Sequence, residues 1–367
     1  MEPSSIAQLR SRLFKWLMRK TNVSAIRRVG ELPIAIASDI GNVRNENQDR
    51  VAVLKAQLDL NESFVLVALC DGMGGMVEGA VCASQTIASF FTSFVSHRKI
   101  APPSRLAIAA REANGAVYGV FKGSGGGTLS AVLLDDLGGM TGVNIGDSRI
   151  YSFRENQFEQ LTVDDTMAGL RPEADIDLRA KNELLQYVGM GDGLEPHIIE
   201  TPLLGDMIVL SSDGAHYFDK GIMRMVIQNA KDPGTAAKRL VEIAKWCGGR
   251  DNASIAIASP VIIQQQSLDD AGLIQVWDPF GELQMFVAET STESEIRKDT
   301  PLTPPPADQR KPQQSKRAAK APKKAKPGTR KGKKAVVDQS KKLDDGGKER
   351  PQLNIYFNGD MDKDRNA

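Results

Sequence analysis

Five aspartates stand where extended segments of this chain begin or end. Asp49 opens the run Val51-Ala-Val-Leu54, and Asp71 closes the apolar run Phe64–Cys70, followed at once by Gly72-Met-Gly-Gly75. Asp147 sits in Gly146-Asp-Ser-Arg149, Asp213 ends Ile208-Val-Leu-Ser-Ser212 just before Gly214, and Asp251 sits in Arg250-Asp-Asn252. A carboxylate at the end of a buried strand costs several kcal/mol of desolvation unless it is paired or metal-bound. Too few cations lie beside these positions to pair all five. Clustered carboxylates with oxygen-only partners suit Mg²⁺ or Mn²⁺, which keep waters in their shells. Glycine after the acid lets the backbone approach closely, so its carbonyl can also serve as a ligand. Any one of these residues alone reads as a turn-forming or capping Asp. Five Asp-centred turns at strand ends are a different matter.

The rest of the composition narrows the chemistry. The chain has 367 residues, 41% hydrophobic and 25% charged, long enough for one large domain or two ordinary ones with a sizeable core. No apolar run approaches the roughly 18–20 residues of a membrane span, and no signal-peptide pattern opens the chain. Three scattered cysteines, Cys70, Cys82 and Cys247, exclude a disulfide scaffold and fit a reducing, cytoplasmic compartment. Three histidines, His97, His197 and His216, lack paired metal spacing and argue against a zinc site. Cys70 lies within an apolar run and reads as a buried strand residue, not a reactive thiol.

Net charge is +1, yet the charges are segregated. Residues 1–30 carry net +6, residues 31–290 net −14 and residues 291–367 net +9. In the first segment Ile6, Leu9, Leu13, Trp16 and Leu17 recur at helical spacing with Arg10, Arg12, Lys15, Arg19 and Lys20 between or beside them. That predicts a basic amphipathic helix capped by Ser4 or Ser5, either packed on the acidic body or lying on a membrane surface. In the last segment, 12 of the 25 residues from Arg310 to Lys334 are basic and none is acidic, which predicts a disordered tail. Thr300–Pro306 reads as a stiff spacer before it, and Leu353–Phe357 as a short apolar patch after it. The tail either only solubilises the chain or attaches it to nucleic acid, anionic lipid or acidic protein, placing it peripherally at a membrane in the lipid case.

The acids need elements to hold them. Strands are expected at Ile34–Ala37, Val51–Leu54, Phe64–Leu69, Leu129–Leu134, Met140–Ile145, Ile150–Phe153, Phe158–Leu161, Met207–Leu210 and Ala253–Ala258. Helices are expected at 77–95, at 104–121 after the breaker Pro102-Pro103, and at about 221–230 and 234–247. Residues 162–195 read as a long flap-like loop. Short connections favour antiparallel pairing, and segregated helices indicate an α+β layered domain. Residues 261–290, with Trp277 and Phe280, have no assigned place.

The ordered set Ser38-Asp-Ile-Gly-Asn-Val-Arg44-Asn-Glu-Asn-Gln-Asp49, Asp71-Gly-Met-Gly-Gly75, Gly146-Asp-Ser-Arg149, Ser211-Ser-Asp213-Gly214 and Arg250-Asp-Asn252 resembles the metal-dependent protein phosphatase family of type 2C, in its bacterial form. The likeness spans about 32–260. It implies an antiparallel β-sandwich flanked by helices on both faces, four layers in the order αββα. The implied division is a basic N-terminal segment 1–30, a catalytic domain 31–260, a short extension 261–290 and a tail 291–367. By the resemblance, Asp71 bridges two Mn²⁺ or Mg²⁺ ions, the Gly72 carbonyl binds one, and Asp213 and Asp251 bind the other. Asp49 holds metal-bound water, Asp147 serves a third, weaker metal, and Arg44 clamps the substrate phosphate. The implied reaction is hydrolysis of phosphoserine or phosphothreonine by a metal-bridging water, without a phosphoenzyme. Its substrates are phosphoproteins made by a Ser/Thr kinase, and a monomer is expected.

The chain departs from the family pattern in places. Met73 stands where eukaryotic members have His, Gly127-Thr128-Leu129 replaces Gly-Thr-Thr, and Thr162-Val-Asp-Asp-Thr166 replaces the usual Asp-His-Ser of the flap. Ala215-His216-Tyr217 follows Gly214 in place of Leu-Thr-Asp. Two other readings compete. A nucleotide loop at Gly123–Thr128 fails because no Lys precedes the Thr. A catalytically weak scaffold would bind phosphoprotein or kinase and dock through its basic ends.

Overall fold

The computed structural model describes residues 3–58, 63–73, 78–134, 139–170, 183–201, 207–259 and 272–286. The expectations for residues 291–367, for Gly74-Gly75 and for the middle of the flap, 171–182, fall outside that set. The first half runs α1 (Pro3–Leu17), β1 (Ser24–Arg28), β2 (Ile34–Asp39), β3 (Arg50–Gln57), β4 (Ser63–Cys70), α2 (Gly79–Ser96), α3 (Pro102–Phe121), β5 (Leu129–Leu134) and β6 (Met140–Ile145). The second runs β7 (Arg149–Arg154), β8 (Gln157–Gln160), α4 (Met167–Leu170), β9 (His197–Thr201), β10 (Met207–Ser211), α5 (Asp213–His216), α6 (Lys220–Gln228), α7 (Pro233–Trp246), β11 (Ala253–Ala258), β12 (Leu273–Asp278) and β13 (Gly281–Phe286).

The strands form two sheets, ordered β1-β2-β11-β10-β7-β8 and β13-β12-β3-β4-β5-β6-β9. Every pairing in both is antiparallel. Three apolar layers hold them together. Val53, Val67, Leu69, Ile36, Leu210 and Trp277 fill the space between the sheets. Phe90, Phe91 and Phe94 of α2, Leu106 and Val117 of α3, and Leu13 and Leu17 of α1 pack with Leu54, Leu66 and Leu133 on the outer face of the seven-stranded sheet. Leu240 and Val241 of α7 and Met223 and Ile227 of α6 cover Val209, Ile255 and Ile257 of the other sheet. The central strands carry apolar side chains on both faces because each face meets a different core. This gives the expected αββα order of layers.

Local chemistry sets the joints. Glu155 and Asn156 both have positive φ, 50° and 67°, which closes the β7–β8 hairpin in the manner of a two-residue primed turn. Asp232 caps α7 by accepting from Thr235 N at 3.0 Å, worth about 1 kcal/mol. Pro102 and Pro103, expected to precede the helix as a breaker, form the first turn of α3. The first turn tolerates them because its N–H groups have no intrahelical acceptor.

Both chain extensions join the sheets. The apolar face of α1 packs on the body, with Leu9, Leu13 and Leu17 at most 3% exposed, which is the packed and not the membrane-facing arrangement of the two expected. Burying each such leucine contributes roughly 1.5–3 kcal/mol. β1, which the sequence reading missed, adds an edge strand through Ser24↔Asp39 to Arg28↔Ala35. The unplaced stretch 261–290 supplies the hairpin β12–β13, paired to β3 through Leu273↔Gln57 and Trp277↔Val53. Among the described residues no helix is long and apolar enough to cross a membrane.

Candidate metal centre

The strand register brings the five acids to one end of the sandwich. Arg50 pairs with Cys70, so Asp49 entering β3 and Asp71 leaving β4 are neighbours. Leu69 pairs with Ser130 and Leu129 with Ile145, which carries the same end across to the β6–β7 turn and Asp147. In the other sheet Ser211 faces both Arg149 and Ile255, placing Asp213 after β10 beside Asp251 ahead of β11. Glycine makes the convergence sterically possible. A Cβ on Gly72 would collide with the Gly79 carbonyl and lie 2.7 Å from that of Gln48, and a Cβ on Gly214 would strike the Asn252 carbonyl.

Neutral hydrogen bonds hold the acids in place. Ser212 Oγ donates to Asp49 Oδ2 at 2.8 Å and accepts from Ser254 N at 2.9 Å. Thr128 N donates to the Asp71 carbonyl at 2.9 Å, and Asp71 N donates to Thr128 Oγ1 at 3.0 Å. Asn252 accepts from Gln48 N at 2.8 Å and donates to the carbonyls of Ile40 and Glu46, both at 3.0 Å. This ties the loop carrying Arg44 to the start of β11. In the sequence, Ser212, Thr128 and Asn252 stood only as members of motifs, with no role of their own. For Ser212 and Asn252 the signal that would have found them is their place beside the strand-end acids Asp213 and Asp251.

The cluster is electrostatically unsatisfied. Burial is the leading cause that raises the carboxyls of Asp49 and Asp147 to about 7, with the charge of Asp213 adding to each. Asp71 is pushed well above the carboxylate range by burial and by the charges of Asp49, Asp213 and Asp147. Burial, then the charge of Asp251, also raises Asp213, which stands close enough to Asp71 to share a hydrogen bond. Asp49 Oδ1 and Asp213 Oδ1 are buried without a hydrogen-bond partner. Buried oxygens that lack a donor, on acids that resist ionising, fit a hard divalent cation. Asp251 is turned toward Arg44, whose Nη2 lies 2.5 Å from its Oδ2. Among the described residues no three His, Cys, Asp or Glu side chains converge as a ready-made cage.

Other candidates stand apart. Cys70 is fully buried, and burial raises its thiol well above the usual range. His216 donates to or accepts from Ser211 Oγ at 2.8 Å, and burial lowers its pKa to about 3. His197 lies 2.8 Å from Asp165 Oδ1 at the base of the flap. Beside it, Arg149 makes a forked contact with Asp164 at 2.9 and 2.7 Å, which locks β7 to the flap.

No family model matches the chain. Curated proteins do. The chain is 30% identical over 251 residues to "Serine/threonine protein phosphatase PstP" of Mycobacterium tuberculosis, across 63% of this chain and 45% of that protein. The chain therefore spans about half that relative's length. It is 26% identical over 255 residues to "Protein phosphatase PhpP" of Streptococcus pneumoniae, covering 62% of this chain and 97% of the relative. Among solved structures, the Ser-Thr phosphatase MsPP of Mycobacterium smegmatis in complex with cacodylate superposes with a TM-score of 0.53 at 28% identity, across 62% of this chain and 98% of that one. The catalytic domain of PstP in complex with two manganese ions gives 0.52 at 26% identity, across 64% and 98%. In sequence and in fold, the chain is similar to bacterial serine/threonine phosphatases, including one described as 2C-type.

Proposed function

We propose that this protein is a metal-dependent serine/threonine phosphatase that hydrolyses phosphoserine and phosphothreonine in proteins. The observation that carries the reading is the set of buried, cation-poor carboxylates at one end of the sandwich, two of them with a buried oxygen lacking any donor. The solved PstP catalytic domain with two manganese ions, which has the same fold, supports it. Asp71, the Gly72 carbonyl, Asp213 and Asp251 would hold two Mn²⁺ or Mg²⁺ ions, and Asp147 a third and weaker one. Such ions supply a water nucleophile at neutral pH and neutralise phosphoryl oxygens.

The remaining work falls to this chain's own groups. Asp49, fixed by Ser212, would orient water at the centre. Arg44 is exposed on the rim and, among the described residues, is tethered through Asp251, so its guanidinium can turn to a phosphate and grip two of its oxygens. A planar fork suits that dianion better than an ammonium would.

The test is hydrolysis of a phosphothreonine peptide with Mn²⁺, repeated with a chelator and with Asp213→Asn. We expect turnover only in the untreated wild type. Turnover that survives both changes refutes the metal mechanism.

A further inference from the structure

The residue next to Asp49 holds it from behind. Arg50 donates from Nε to the Leu17 carbonyl at 3.0 Å and to Ser84 Oγ at 2.9 Å. From Nη1 it donates to the carbonyls of Asn47 at 2.9 Å and Asp49 at 2.7 Å. One guanidinium thus joins the last residue of α1, the helix α2 and the main chain of the Asn47–Asp49 loop. The loop has a second brace, in which Asp49 N donates to Asn47 Oδ1 at 3.0 Å and Asn47 Nδ2 donates to Ser38 Oγ at 2.8 Å.

The far end of this tether is itself fixed. Leu13 and Leu17 anchor α1 in the outer core. Just beyond, Arg19 spans both oxygens of Asp278 at 2.8 and 2.6 Å, returns a bond to the Trp16 carbonyl at 2.7 Å, and lies 4.1 Å from the centre of the Trp16 ring. Asp278 ends β12, so the contact clasps the N-terminal helix to the β12–β13 hairpin. Asp278 is held in turn, because its Oδ1 accepts from Phe280 N at 2.8 Å. Between clasp and loop lies a cavity of about 20 Å³ bounded by Leu17, Asp49, Arg50 and Phe280. The loop therefore has open space on the side from which it is tethered.

We propose that Arg50 is a positioning residue for Asp49, and that α1 with the β12–β13 hairpin is the fixed support it works against. On this view both chain extensions belong to the architecture of the metal centre. The inference rests on reading Asp49 and its neighbours as a divalent-cation site. Its physical basis is that the Arg50 bonds to the loop go to carbonyls, which set the path of the backbone. A displacement of about 1 Å there is enough to spoil a coordination geometry or a catalytic one.

The experiment uses the full chain and the variants Arg50→Gln, Arg50→Lys, Arg19→Gln and Asp278→Asn. Mn²⁺ affinity is measured by calorimetry, and amide hydrogen exchange across 47–50 is followed in metal-free protein. KM and kcat are taken on p-nitrophenyl phosphate, and melting is recorded as a control. For Arg50→Gln we expect Mn²⁺ affinity to fall about tenfold or more, with faster exchange at the Asp49 amide and a loss in kcat larger than any change in KM. Arg50→Lys should regain part of the affinity. Arg19→Gln and Asp278→Asn should shift affinity and exchange in the same direction by a smaller factor while melting stays cooperative. Should Arg50→Gln fail to fold, the two clasp variants decide. The proposal is overturned if the folded variants keep wild-type Mn²⁺ affinity and wild-type exchange at Asp49 and lose only thermal stability. A wild type that takes up no Mn²⁺ overturns the metal reading and this inference together. A wild type that takes it up but cleaves no phosphoester overturns the phosphatase reading alone, and the affinity and exchange comparison still decides this one.

Discussion

Two sets of buried and half-buried carboxylates divide this molecule. Asp39, Asp164, Asp165 and Asp278 each face Lys245, Arg149, His197 or Arg19 at 2.6–3.2 Å. Asp49, Asp71, Asp147 and Asp213 form no such ion pair among the described residues, and all four are pushed upward in pKa. Members of both sets lie at turns and strand ends, so position alone does not separate them. The difference lies in what faces them. The paired acids brace the flap, the clasp and the joint between β2 and α7, whereas the unpaired ones oppose the fold unless something neutralises them. A ligand that binds the folded and not the unfolded chain stabilises it by mass action, so on the proposed metal reading the second set would link folding to metal concentration.

That contrast can be broken in order of effect. Asp71→Asn should remove several kcal/mol of transition-state stabilisation, a fall of roughly 10³-fold in kcat. The same change should raise the melting temperature of the metal-free chain, because it removes an acid that must either stay charged without a partner or take up a proton to be buried. A metal-free Asp71→Asn that melts lower would show that this acid is not strained. On the paired side the sign reverses. Arg149→Met leaves Asp164 uncompensated at 14% side-chain exposure and should cost roughly 3 kcal/mol of stability, read by denaturant titration. Ser212→Ala removes the bond to Asp49 without touching any charge. Its signature should be Mn²⁺ affinity lowered by about 10–100-fold with little change in melting.

The remaining effect is the pH dependence. Asp49 and Asp147 rise from an ordinary value of 3.8 to about 7 in the folded, metal-free chain. Between those values the folded state holds protons that the unfolded state has released. Stability contributed by these groups therefore declines as pH rises through that window and levels off above about 7. His216 works in the opposite direction. It stays neutral down to about 3, so its contribution is present above 6.5 and is lost as pH falls below it. Equilibrium unfolding of wild type and Asp49→Asn across pH 4–8 isolates the acid term, since the variant should show the shallower decline. Equal slopes would mean Asp49 stays ionised throughout.

Much of this was legible in the residues. Runs such as Leu129–Leu134 and Met140–Ile145 marked strands to the residue because apolar residues dominate them between turn signals; the polar Ser130 and Asn144 inside them are buried and bonded to each other. The acids were legible for the complementary reason, each being a charge set against such a run. Strand β1 was not, since its exposed-and-partial alternation over Ser24–Arg28 carries the same basic residues that mark a solvated segment. The β12–β13 hairpin was hidden because its inner residues Ile274, Val276 and Trp277 gain meaning only from pairing with β3, more than 200 positions away. Arg50 was invisible for a third reason. Its partners are mostly main-chain carbonyls, and no spacing rule encodes those.

The clasp also equips the protein with its own optical reporter. Of the three tryptophans, Trp246 is 91% exposed, Trp277 is buried between the sheets, and Trp16 is half-buried under the Arg19 guanidinium. Emission from Trp246 is already that of an indole in water and should stay constant. Opening the hairpin would wet Trp277 and uncover Trp16, so a red shift with cooperative structure retained marks release of the N-terminal helix. Wild-type chain, without any added label, can thus reveal whether a partner or a cation tightens that joint.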